Sequence, residues 1–356
     1  MKDWAARGCN LITRWDLEGH VFPRQWSDAA AEFGFKTIRE PKNPTDDAAD
    51  KTLIAVNLPD EADLSNHWYG LRPVGGWPAG VKVFDTYTVP GLGDYDLVGK
   101  EQGTPPKLTG AGMAQTATVY KARAAALRAI YPNLPIFGNF AGNSVTFGMQ
   151  ETDYIAFTSA PDWIASDWYP IDQDLVPFPL PDGAVRRYGY HFPAKALGRL
   201  AAWSGGKPQF AYISCVNQRQ DVKKSAAWRW PSTRELEAQI WAALCTGAAG
   251  IIYFSMQQNP WQSDGITSTL NDPKATTGEK FAAEAVRDWM PQFNSRLQSL
   301  ADFLIHGTRL DVSAPYPAGI MACVWSLPDG KSQLTAVVNT TGAALGGLGP
   351  CEVKLT

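Results

Sequence analysis

The sequence predicts a parallel α/β fold: a (β/α)8 TIM barrel over residues 1–305, followed by a small antiparallel β domain over residues 306–356. Short apolar runs alternate with amphipathic stretches almost to residue 305, and eight such runs are what a closed barrel needs. From about residue 308 the hydrophobic period changes from helical to alternating, which predicts the appended sheet. A chain of 356 residues has room for one large barrel and a small appendix.

The strands are read in order at CNLITRW (9–15), FKTIRE (35–40), LIAVNL (53–58), VKVFDTY (81–87), PIFGNF (135–140), WIASDWY (163–169), PQFAYISCV (208–216) and GIIYFSM (250–256). Between them, Trp26, Ala30 and Phe33 repeat at helical spacing, and Gly34 offers a C-terminal stop. Ser232 and Glu235, after Pro231, form a capping box that leads into Leu236, Ile240 and Leu244 on one face. Pro291 is expected to break a helix, with a new stripe of Phe293, Leu297, Leu300 and Leu304 running to Gly307. The tail strands are GIMACVWSL, LTAVVNTT and CEVKL, the first two joined by a Pro-Asp-Gly-Lys turn. The Gly- and Pro-rich stretch from Gly70 to Gln115 is too long for a plain connection and is expected to wall one side of a binding face.

Composition removes several classes of function. The net charge is −3 and no Lys/Arg cluster exceeds a pair, so no nucleic-acid partner is expected. No run is long enough to span a membrane, and none is expected as a partner. The five cysteines contain no CxxC and the four histidines, His20, His67, His191 and His306, are scattered, so neither a metal nor a cofactor is expected. Cys323 and Cys351 leave one tail disulfide open as a reading. Met1 opens directly onto MKDWAARGCN, which fits a cytoplasmic protein, or a secreted or periplasmic one if an export signal was removed. The oligomeric state is not readable.

In a parallel barrel the C-terminal ends of all strands share one mouth, so polar residues there converge whatever their separation in sequence. LIAVNLPDEAD, from Leu53 to Asp63, is a strand that ends in acids, Asp60 and Glu61 among them. The same position on other strands gives Trp15, Asp16, Arg39, Glu40, Asn139, Asp167, Trp168, Tyr169 and Gln257, with Trp261 in a nearby loop. Acids, amides and aromatics with little positive charge suit glycosidic bond hydrolysis. One protonated carboxyl protonates the leaving oxygen, a second carboxylate activates water or attacks carbon, and amides and rings hold the sugar. Glu61 is the expected proton donor and Asp167 the expected second acid. Glu61, Asn139, Asp167 and Gln257 are expected on one face. Asp16, Glu18, Arg39 and Glu40 are read in preference as a structural ion-pair network rather than as catalytic groups. No GxSxG, Walker loop, GxGxxG or HExxH occurs.

The run RWPSTRELEAQIWAALCTGAAGIIYFSMQQNPW, taken with GCNLITRWDLEGH, GFKTIREP, PIFGNFAG and DWIASDWYP, resembles a bacterial glycoside-hydrolase-like TIM-barrel family related to the large clan of retaining glycosidases. The resemblance covers most of residues 5–305, and the tail is similar to the small C-terminal β domain that such proteins carry. It implies a carbohydrate substrate and an acid/base role for Glu61, with Ala62 where the family has Pro. It also implies a nucleophilic Glu at the end of the strand Ala211–Ser214, where this chain has Ser214. A noncatalytic saccharide-binding barrel is the alternative reading. Relatives have a strand ahead of the GCN segment; on that count residues 81–87 are an insertion rather than the fourth strand, and Glu61 ends strand four.

Overall fold

A computed structural model describes residues 1–14, 24–39, 41, 44–58, 60–63, 110–142, 145, 151–167, 169, 178–179, 185–186, 191–216, 230–254, 265–311 and 320–340. Its main sheet joins seven strands in the order β1 (Leu11–Arg14), β2 (Lys36–Arg39), β3 (Leu53–Asn57), β4 (Ile136–Ala141), β5 (Trp163–Asp167), β8 (Gln209–Ser214) and β9 (Ala248–Phe254). Two-residue strands β6 (Phe178–Pro179) and β7 (Val185–Arg186) form a separate ribbon. A three-stranded antiparallel sheet follows, with β10 (Thr308–Asp311), β11 (Ile320–Ser326) and β12 (Gln333–Asn339) in that order. The fold class is thus a TIM-barrel-like parallel α/β sheet with a small antiparallel sheet after it.

Seven of the strands read from sequence are present within a residue or two of their expected ends. Residues 81–87 lie outside the described residues, but their expected position as a strand between β3 and β4 is corrected by the pairing. β3 and β4 are direct parallel neighbours, with Val56 opposite Ile136 and Asn57 opposite Phe137. The Gly- and Pro-rich stretch also ends earlier than expected, because a helix spans Gly110–Ile130.

The chain forms two compact units, Met1–Ser166 with Arg199–Phe210, and Asp167–Gly198 with Ala211–Thr356. In the first, strand register assigns faces. Arg39 is level with Val56 and Val56 with Ile136, so these three share a face. Side chains alternate along a strand, so Gly138 and Phe140 belong to that face too, and Tyr120 of the helix Gly110–Ile130 packs on both. It is the helix-covered face. Asn57, Phe137 and Asn139 lie on the other. The helix Arg24–Glu32 ends as its sequence predicts. Gly34 sits at φ +75°, a conformation that costs a side chain, and Phe35 and Gly34 donate backward to Ala30 and Ala31.

In the second unit the capping box at Ser232 closes the helix Thr233–Cys245: Glu235 N donates to Ser232 Oγ, and Ser232 N to the Glu235 carboxylate. Trp241 of that helix meets Trp325 of β11 edge-on, which seats the small sheet. The expected break at Pro291 does not occur, and one helix runs Thr277–Ser299 through it. Ala283, Val286, Met290 and Phe293 are buried at helical spacing on both sides of the proline, and that continuous stripe outweighs one lost hydrogen bond. Cys323 is buried, while Cys351 and the CEVKL stretch lie outside the described residues.

Candidate active site

β3 is a run of aliphatic residues and its chain emerges into a tight acidic turn over residues 60–63. The turn is fastened on both sides. Asn139 Nδ2 donates to Asp60 Oδ1 at 2.9 Å. The fully buried Asp63 accepts from Ala141 N at 3.1 Å through one oxygen and from Tyr154 Oη at 2.5 Å through the other. Buried carboxylates persist only when their lone pairs are met in this way. Between the fasteners, Ala62 is buried and Glu61 is half-buried, with φ at +43°. A non-glycine residue in the left-handed region costs on the order of 1 kcal/mol or more and persists where its surroundings dictate it.

Asn139 is itself buried, on the strand face opposite the helices. Its amide nitrogen is committed to Asp60, which leaves its Oδ1 buried without a hydrogen-bond partner among the described residues. Tyr120 Oη is a second buried polar atom in that state. Burial, reinforced by the negative charges of Asp63 and Asp60, pushes the Tyr120 hydroxyl well above the usual phenol range, so it stays protonated.

Arg39 occupies a different place from the one its strand-end position suggests. It lies on the helix-covered face, 1% exposed, where its guanidinium pairs with Asp47 at 2.7 Å and donates to Asp50 at 2.9 Å. Tyr131 Oη adds a hydrogen bond to Asp47 at 2.6 Å. Arg39 thus belongs to a buried ion-pair cluster with Asp47 and Asp50, in keeping with the structural reading of this residue. Burial raises the Asp50 carboxyl, but hydrogen bonds from Thr52, Arg39 and Ser27 outweigh it and lower the pKa to about 2.

Asp167 is the last residue of β5 and belongs to the second unit, and Tyr169 Oη donates to it at a long 3.5 Å. Tyr169 stacks on Phe254, with centroids 5.0 Å apart and 20° between planes, and Phe254 meets Tyr212 edge-on. Ser214 ends β8, fully buried. Trp15, Asp16, Glu40, Trp168, Gln257 and Trp261 lie outside the described residues. Burial pushes the Cys9 thiol up to about 11 against the opposing charge of Arg7, so it is no thiolate nucleophile. Among the described residues, no group of three or more His, Cys, Asp and Glu is placed to hold a metal ion, and no helix is long and apolar enough to cross a membrane.

Asp63, Tyr154 and Tyr120 were not singled out from sequence as site residues. Asp63 was visible as the last acid of the turn. Tyr154 lies 91 residues further along the chain, and nothing in the sequence marks it as the partner of Asp63.

No family model matches the chain, and no curated protein sequence matches it. Solved structures do match in fold. A β-galactosidase from the psychrophilic Marinomonas ef1 aligns with TM-score 0.50 at 13% identity, over 86% of this chain and 60% of its own. A β-galactosidase from Bacillus circulans sp. alkalophilus aligns with TM-score 0.49 at 10% identity, over 86% of this chain and 54% of its own. The exo-β-1,4-mannosidase Op5Man5 from Opitutaceae bacterium strain TAV5 aligns with TM-score 0.42 at 13% identity, over 82% and 54%. The chain thus spans between about half and six-tenths of the length of these structures. The fold is a structural match to the TIM-barrel domains of glycoside hydrolases, and at such identities the likeness is one of fold alone.

Proposed function

We propose that this chain is a glycoside hydrolase that cleaves an O-glycosidic bond of an oligo- or polysaccharide, with Glu61 as the proton donor. The observation that carries the reading is the turn itself. A half-buried carboxylate stands in a strained backbone conformation between two hydrogen-bonded anchors, Asp60 on Asn139 and Asp63 on Ala141 and Tyr154. A general acid needs a fixed position against the leaving oxygen, and backbone strain tends to gather where a side chain must be aimed. The fold it shares with the matched structures is compatible with this chemistry.

Asp167 is the proposed second carboxylate, orienting water or stabilising the oxocarbenium-like transition state. Asp60 and Asn139 are the proposed polar contacts to sugar hydroxyls, with the unmet Oδ1 of Asn139 offering an acceptor. Tyr169 is a proposed sugar-facing ring, as are Trp15, Trp168 and Trp261, with Asp16, Glu40 and Gln257 as further polar contacts. One observation favours a second reading, a saccharide-binding barrel without turnover: β8 ends in a buried hydroxyl, Ser214, and not in a carboxylate.

A screen of aryl and natural glycosides separates the two. Hydrolysis of an unactivated natural glycoside that is lost in Glu61→Gln supports the enzyme. Saccharide binding in affinity electrophoresis, with no turnover of any bound sugar, supports the binding protein and contradicts the enzyme.

A further inference from the structure

We propose that the turn after the helix Glu151–Thr158 is a monovalent-cation site whose resident cation is the chain's own Lys207 ammonium. With that side chain cut back, the site takes ammonium, a small primary alkylammonium or potassium from solution. It lies wholly within the first unit, ahead of the N-terminal ends of β5 and β8, and is independent of the role given to Glu61.

A helix ends in carbonyls that have no amide of the next turn to accept from. Here four consecutive carbonyls, those of residues 158 to 161, are all met by cations. Lys207 Nζ donates to Thr158 O at 2.8 Å, Ser159 O at 3.2 Å and Pro161 O at 2.6 Å, and Arg128 Nη2 donates to Ala160 O at 2.6 Å. An ammonium has three N–H donors, and Lys207 uses all three. Arg128 also pairs with Asp162 at 2.7 Å, and the other oxygen of Asp162 accepts from Ile136 N at 2.9 Å. Lys207 is thus held by carbonyl dipoles, with the negative end of the helix dipole adding to their pull. Burial moves its pKa below the usual lysine value; the charge of Asp162 opposes this and that of Arg128 adds to it.

The cradle is built independently of the side chain that fills it. Thr158 is fully buried, and its Oγ1 donates to Tyr154 O at 2.8 Å, with Trp203 O at 3.2 Å. Ser159 N and Ala160 N donate back to Ile155 O and Phe157 O, and Asp162 N donates to Ile136 O at 2.7 Å, which closes the turn onto β4. On the facing side, Pro208 O accepts from Ile164 N at 3.0 Å and Lys207 O from Gln209 Nε2 at 2.7 Å, so the backbone at residue 207 is held whatever side chain it carries. Lys207 is itself half-buried, and the vacated cradle would open to solvent. Oxygens at 2.6–3.2 Å also select the ion. Magnesium and calcium hold oxygen at about 2.0–2.1 and 2.3–2.6 Å and favour carboxylates, whereas ammonium and potassium are larger, singly charged and satisfied by carbonyls.

Lys207→Ala removes the equivalent of n-propylammonium. The test is the thermal unfolding midpoint of the full-length chain in chloride salts at one ionic strength, balanced with tetramethylammonium, which has no N–H and is too bulky for the cradle. In tetramethylammonium alone the variant should unfold about 4–8 °C below wild type. Ammonium, n-propylammonium and potassium should recover about half of that loss at about ten times their dissociation constants, and sodium less. Wild type should not respond. Neither should Lys207→Met, whose apolar stem keeps the cradle plugged. Rubidium, a heavier stand-in for potassium, should give an anomalous peak among the three carbonyls in crystals of Lys207→Ala and none there in wild type.

A midpoint for Lys207→Ala equal to that of wild type overturns the proposal. So does a recovery no larger than the shift of Lys207→Met in the same salts, or a rubidium peak missing from the cradle. Should Lys207→Ala not fold in tetramethylammonium, refolding from urea becomes the readout: a native circular dichroism spectrum regained in ammonium or n-propylammonium supports the site, and failure in every cation overturns it.

Discussion

Gly138 is the tightest point beside the site, and replacing it with alanine gives a sharp test of the packing described. A Cβ at residue 138 would lie 2.5 Å from Tyr120 Oη and 3.1 Å from two atoms of Pro161, whereas ordinary contact begins at 3.4 Å. The hydroxyl cannot retreat, since the Tyr120 ring is fully buried and meets Phe140 and Phe157 at centroid distances of 5.9 and 5.7 Å. Overpacking of this kind costs about 1–3 kcal/mol, and an overlap near 0.9 Å against a rigid ring belongs at the upper end. Tyr120→Phe deletes the offending atom, and that atom has no hydrogen-bond partner among the described residues, so its loss alone should change stability by less than about 1 kcal/mol in either direction. The double variant keeps only the 3.1 Å contacts with Pro161 and should recover most of the loss, with a coupling of about 1–2 kcal/mol. Urea unfolding of the four proteins at one pH measures it. A double variant as unstable as Gly138→Ala alone would refute the assignment of Tyr120 to this cradle.

Three further outcomes follow from the same structure. Arg39→Met should destabilise by about 3–5 kcal/mol in urea unfolding, because it strands Asp47 and Asp50 as buried charges without their cation. The Asp50 carboxyl, lowered in the fold to about 2 from an ordinary 3.8, contributes stability that is whole above about pH 4 and is lost as pH falls towards 2; the stability gap between wild type and Asp50→Asn should narrow over that window in acid titration of the unfolding midpoint. Pro291→Ala restores a backbone donor inside an otherwise continuous helix and should raise thermal stability, by about 1–3 kcal/mol; a loss would mean that the helix is shaped around the proline.

How much of this was legible in the sequence varies with the range of the interaction. The strand LIAVN and the Ser232 capping box are local, encoded within a few residues by aliphatic runs and by a hydroxyl three positions before an acid. The continuity of the helix through Pro291 was not, because a local breaking rule was overridden by a buried stripe whose partner surface is tertiary. The partners of Arg39 were hidden for a similar reason. Its place at a strand end was plain, but alternation gives two faces, and only the register with Val56 and Ile136 says that Arg39 faces helices and meets Asp47 and Asp50. The acids after β3 were conspicuous as a cluster, whereas their division of labour was not: Asp63 is buried and anchored, Asp60 holds an amide, and Glu61 alone has the left-handed backbone. The Tyr154 anchor depends on a side chain 91 residues away, which no spacing rule reaches.

The central claim, that Glu61 protonates a leaving group, is tested most directly by the leaving-group dependence of Glu61→Gln. The amide nearly keeps the shape of the acid but has no carboxylic proton, so hydrolysis of an unactivated glycoside should fall by about a hundred- to ten-thousand-fold. An aryl glycoside whose leaving group departs without protonation should lose far less. Turnover of one activated and one unactivated glycoside, found by screening, is to be measured for wild type and for the folded variant. A large loss on the unactivated substrate with a small one on the activated substrate is the result predicted here; equal losses on both would remove Glu61 from the acid role, and full activity on both would remove it from the mechanism.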